Sequence, residues 1–115
     1  MDRKYKIIDF QKIEDMVEGD AEFRKQLLEA IIVAVRELEI TYIKGIDGEN
    51  LDWIKQARHK IKPTMGLFDL QNLAIILGQG KRMISENGFS KDLEHHKKEF
   101  LMATNEILEE VNQNI

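Results

Sequence analysis

A chain of 115 residues holds one domain with a single modest core, and 43% apolar against 33% charged residues is the balance of an ordinary folded protein. A net charge of -4 argues against nucleic acid as the main partner, which demands a basic footprint. The absence of cysteine excludes a disulfide framework and a thiolate metal site and fits a reducing compartment, and no apolar run approaches the ~18 residues of a membrane span. Met1-Asp2-Arg3-Lys4 leads into no signal-like apolar core. One proline, seven glycines and abundant Leu, Ile, Glu and Lys favour helix over sheet.

Residues 7–18 place Phe10, Ile13, Met16 and Val17 at helical spacing, with Asp9 as N-cap and Gly19 as the stop. Asp20 caps a longer helix expected to reach about Tyr42, its apolar face built from Phe23, Leu27, Ala30, Ile31, Ala34, Val35, Leu38 and Tyr42. Ile32, Val33 and Ile40 widen that face, so this helix is expected to be covered on more than one side. The run Lys44-Gly45-Ile46-Asp47-Gly48-Glu49 reads as the turn that ends it.

A third helix starts near Glu49 or Asn50, with Leu51, Ile54, Ala57, Ile61 and Met65 as its buried stripe and Trp53 flanking it. His59, Lys55 and Lys62 fall on the other side, since residue 59 lies about 200° round from 57 and 61. Pro63 interrupts this pattern. It removes the hydrogen bond to the carbonyl of His59 at a cost of roughly 3 kcal/mol, yet the stripe continues beyond it, which predicts a bend between 59 and 63 rather than a stop. The chain is expected to turn at 66–69, with Asp69 capping a fourth helix lined by Leu70, Leu73, Ile76, Leu77, Met83 and Ile84 and ended by Asn87-Gly88. Gly78 and Gly80 read as soft spots of ~1 kcal/mol each relative to alanine. Ser90-Lys91-Asp92 opens the last helix, whose seam is Leu93, Phe100, Leu101, Ile107, Leu108 and Val111. The fold expected is all-α, an antiparallel four-helix bundle with a short extra N-terminal helix, spanning 1–115 as one domain.

Three features remain as candidate sites. His95 and His96 are adjacent and point about 100° apart, so they cannot chelate one ion from a helix face and read as a solvated pair. Trp53 and the methionines Met16, Met65, Met83 and Met102 read as core or core-edge packing. The third is the stretch around His59, where Lys55, Arg58, Lys60 and Lys62 gather and no acidic residue stands between Asp52 and Asp69. Composition reads this as a solvated basic face carrying a histidine. Chemistry offers the other reading, that it handles a phosphoryl group. An imidazole with an ordinary pKa of ~6.5 is mostly neutral, and so nucleophilic, at pH 7. A lysine three residues on lies one turn along the same face, where it offsets the charge of an arriving phosphoryl group. No paired carboxylates, metal cluster, nucleotide loop or triad supports a self-sufficient enzyme.

The run from His59 to Leu73, His-Lys-Ile-Lys-Pro-Thr-Met-Gly-Leu-Phe-Asp-Leu-Gln-Asn-Leu, resembles the signature of histidine-containing phosphotransfer (HPt) domains, roughly H-x-[LI]-K-G-x-x-[GS]-x-x-G-[AL]-x-x-L. The Ile8-Asp9 and Gly19-Asp20 pairs, and the distance from the second to the histidine, are similar as well. The resemblance implies a four-helix bundle that carries phosphate between receiver-domain aspartates in a phosphorelay, in the cytoplasm and without kinase or phosphatase activity. It implies His59 as the phospho-accepting residue, Lys62 as the phosphoryl-stabilising one, and Gly66 as the small residue that lets a receiver loop approach. Lys55, Arg58, Lys60 and Pro63 complete the expected binding surface. No cofactor or metal is expected on this chain, Mg being supplied by the receiver. The partners implied are response-regulator receivers and a hybrid sensor histidine kinase, docking over helices two and three of a monomer, with no nucleic acid and no membrane insertion. The chain departs from the pattern at Pro63 and Asp69, where glycines are usual, at Arg58, where a small residue is common, and at Lys81, where Gln or Glu often orients the imidazole. The rival implied by the same fold is an interaction module that binds signalling partners without carrying phosphate.

Overall fold

The computed structural model describes residues 7–115, and all of their regular structure is helical: α1 (Phe10–Val17), α2 (Ala21–Asp47), α3 (Leu51–Phe68), α4 (Gln71–Asn87) and α5 (Leu93–Asn114). The first three helices begin where their caps place them. The Asp9 carboxylate accepts from the backbone N–H groups of Gln11 and Lys12, Asp20 Oδ1 accepts from Phe23 at 3.0 Å, and Asn50 Oδ1 accepts from Trp53 at 3.1 Å.

Helices α2 and α3 pack together, α3 on α4, α4 on α5 and α5 back on α2, while α1 lies against α2 and α3. The core they enclose is aliphatic with two aromatics at its centre: Leu28, Ile31, Val35 and Tyr42 from α2, Ile54 and Ile61 from α3, Leu73 and Leu77 from α4, and Phe100, Ile107 and Val111 from α5. No helix among the described residues is long and apolar enough to cross a membrane.

Several expectations are corrected. Helix α2 does not end at Tyr42 but runs on to Asp47, so Lys44, Gly45 and Ile46 are helical. The reason lies in α3: a Cβ on Gly45 would stand 2.7 Å from Ile54 Cγ1, so the glycine is the gap that lets the start of α3 close on the end of α2. Asp69 does not cap α4. It closes α3 in the left-handed conformation at φ 54°, and Leu70 takes the cap position of α4 with no side-chain hydrogen bond. Helix α2 is contacted by α1, α3 and α5, with Ile32 partly buried against the core, but Val33 and Ile40 are 64% and 58% exposed and do not widen the covered face. Phe23, Leu51, Trp53, Leu101 and Met102 are also exposed. In α3 it is Phe68, with Ile54, Ala57 and Ile61, that completes the buried stripe. The helix passes through Pro63 without ending, as the continuing stripe predicts.

Candidate functional site

The buried stripe of α3 fixes the opposite face of the same helix. Ile54, Ala57, Ile61 and Phe68 point into the core, which turns Lys55, His59, Lys62, Pro63 and Gly66 to solvent. His59 is exposed, covered by neither Arg58 nor Trp53. It lies in an open groove of about 220 Å³ between α3 and α4, with Arg58 and Lys62 from its own helix and Gly78 and Lys81 from the facing one. Met65, Ala74 and Leu77 form an apolar floor, and no carboxylate lines the groove. A Cβ placed on Gly66 or on Gly78 would meet nothing within 4 Å, so the approach is open from both helices.

The expected site residues do not all gather. Arg58, His59 and Lys62 do, and Lys81 joins them. Lys60 faces the other way, pairing with Glu37 of α2 beside a second groove of about 280 Å³ between α2 and α3. Lys55, Pro63 and Gly66 lie on the exposed face of α3 outside the groove lining. Among the described residues no group of three His, Asp or Glu side chains is placed to hold a metal ion.

Behind the groove is a buried polar cluster that helical periodicity could not reveal. His96 is not solvated: it is 2% exposed, and its Nε2 is hydrogen-bonded to the Tyr42 hydroxyl at 2.8 Å. Only His95 of the pair is at the surface, 3.1 Å from a carboxylate oxygen of Glu99. Tyr42 also packs its ring against Phe100, with centroids 4.6 Å apart and the planes inclined by 40°. Gly80 of α4 closes the cluster, since a Cβ there would fall on the Tyr42 hydroxyl and His96 Nε2. Gly80 is therefore a close-approach residue rather than a soft spot, and it seats the turn of α4 that carries Gly78 and Lys81. The sequence signal for this was the pairing of a small residue on α4 with polar aromatics on α2 and α5, which only the tertiary fold brings together.

Burial sets the protonation of both partners. It pushes Tyr42 up to about 12, with the nearby charge of Arg58 pulling the other way. It lowers His96 below its ordinary value, with Glu99 opposing. The unfolded chain then takes up a proton near pH 6.5 while the folded chain resists it, so the contribution of His96 is whole above that pH and is lost as pH falls below it. For Tyr42 the sign reverses: its contribution is whole below pH 10.0 and is lost as pH rises toward 12. Urea midpoints should accordingly fall on the acid side of pH 6.5, and a Tyr42→Phe/His96→Leu double variant should flatten that limb. An unchanged acid limb in the double variant would show that other groups cause it.

Comparison with protein-family models, with curated proteins and with solved structures finds no match for this chain.

Proposed function

We propose that this chain is a phosphorelay histidine phosphotransfer protein, in which His59 accepts a phosphoryl group from a receiver-domain aspartate and passes it to another. The observation that carries this reading is the exposed His59 in an open, cation-lined groove free of carboxylates, with Lys62 one turn away. A lone pair on a neutral ring nitrogen forms the N–P bond as the acyl-phosphate P–O bond breaks, and the bonding electrons leave with the receiver's carboxylate. The reverse step hands the group to a second aspartate. Such transfer depends on positioning and on charge stabilisation, so this chain supplies the nucleophile and cations while the receiver supplies its metal and carboxylates.

In this reading α2–α5 are an antiparallel four-helix bundle, which the closed ring of contacts from α2 through α5 supports. The receiver docks on the exposed face of α3, where Pro63 and Gly66 present no long side chain, and the chain works as a cytoplasmic monomer. The rival reading, a binding module of the same fold that carries no phosphate, would be favoured by an imidazole covered by Arg58 or Trp53, and His59 is exposed.

Phosphorylated receivers mixed with the purified chain decide between them. Transfer of acid-labile phosphate to the chain is expected. Receiver binding with no label from any phosphorylated receiver or from acetyl phosphate would establish the module instead.

A further inference from the structure

Three cations converge on one groove from two helices, and only one of them, Lys62, has so far been given a role in stabilising the phosphoryl group. Arg58 and Lys81 line the same groove, and among the described residues neither forms an ion pair with a carboxylate. We propose that Arg58 and Lys81 hold the phosphoryl group once it is on His59, which makes the α3–α4 groove a retention site rather than a place of passage. This rests on the phosphotransfer reading.

A phosphorylated side chain carries close to two negative charges near neutral pH and three strong acceptor oxygens, more than one lysine neutralises. Lys62 approaches from the histidine's own helix. Lys81 approaches from the facing helix, and Arg58 offers a planar fork of donors that suits two phosphate oxygens at once. The apolar floor of Met65 and Leu77 keeps solvent from one side of the group and strengthens these attractions. The helix positions that carry the two added cations are fixed. Arg58 is half-buried and close enough to Tyr42 to act on its phenol, and Lys81 follows Gly80, whose close fit against the Tyr42–His96 pair fixes that turn of α4. Cations that favour phospho-His59 over phospho-aspartate shift the exchange toward this chain. The exchange is balanced: each N–P bond made breaks one acyl-phosphate P–O bond, with the electrons passing to the carboxylate.

The experiment is the equilibrium partition of phosphate between this chain and a receiver that labels it. Lys81→Met and Arg58→Met should each move the partition toward the receiver by on the order of 3-fold, the size of one exposed charge contact. Lys98→Met, which makes the same charge change on α5 away from the groove, should not move it. The difference should also disappear at ~1 M salt, where charges are screened within ~3 Å. An unchanged partition in both groove variants, or an equal change in Lys98→Met, overturns the proposal. Should no receiver label His59, the phosphotransfer reading fails, and titration with inorganic phosphate, followed by the His59 ring signals in NMR, judges the groove alone. A shift weakened by Lys81→Met but not by Lys98→Met keeps it as a phosphate site, and no shift overturns it.

Discussion

His59→Gln should accept no phosphoryl group from any receiver that labels the parent chain, a fall in rate on the order of 10³-fold or more, as expected when a nucleophile is removed. Glutamine keeps similar bulk and polarity but offers no ring nitrogen with a free lone pair. The side chain is exposed, so the variant should keep the thermal midpoint of the parent within the small range of surface substitutions, about 0.5 kcal/mol. Lys62→Met should do less. It removes a charge that stabilises the arriving phosphoryl group but leaves the nucleophile, and should slow transfer about tenfold. Equal labelling of the parent and His59→Gln would place the acceptor elsewhere.

The largest effect on stability is expected from a methyl group. Gly80→Ala puts its Cβ on the Tyr42 hydroxyl and His96 Nε2, at a place where both side chains are buried and neither can swing into solvent. Relief requires α4 to move off α2 and α5 or the Tyr42–His96 hydrogen bond to break. Overpacking costs roughly 1–3 kcal/mol and an unsatisfied buried polar pair a similar amount, which together lower stability by about 3 kcal/mol or more. For a chain of this size that is a drop of roughly 10 °C in the thermal midpoint. Gly78→Ala is the control two residues away on the same helix. Its Cβ meets nothing within 4 Å, so it should be neutral or stabilise by up to ~1 kcal/mol through helix propensity. Equal effects of the two substitutions would remove the close-approach role of Gly80.

This contrast also shows what the sequence made legible. Helix starts were readable at Asp9 and Asp20 because capping is local chemistry, decided within three residues, and the third start was readable to within Glu49 or Asn50, of which Asn50 is the cap. The exposure of His59 was readable too, since it follows from the period of the stripe beside it. The end of α2 was not. Lys44-Gly45 and Asp47-Gly48 read as turn residues on local preference, and the reason Gly45 is helical lies in Ile54 of the next helix. The burial of His96 was hidden for the same reason: its partners, Tyr42 and Gly80, stand on two other helices. Lys60 sits among the same run of cations as Lys62, but the two lie about 200° apart round α3, which turns Lys60 toward Glu37 on α2 and away from the groove. Lys81, in contrast, was visible only as a departure from a resemblance, and the groove gives it neighbours.

The most direct measurement is the position of the phosphate itself. Fragmentation mass spectrometry of the labelled chain, kept at alkaline pH to preserve an N–P bond, reads which histidine carries it. His95 is the informative competitor, being exposed like His59, whereas His96 is buried. One phosphoryl group on His59, with His95 and His96 unmodified, is the predicted result. Phosphate on His95, or acid-stable phosphate on any other side chain, would contradict it.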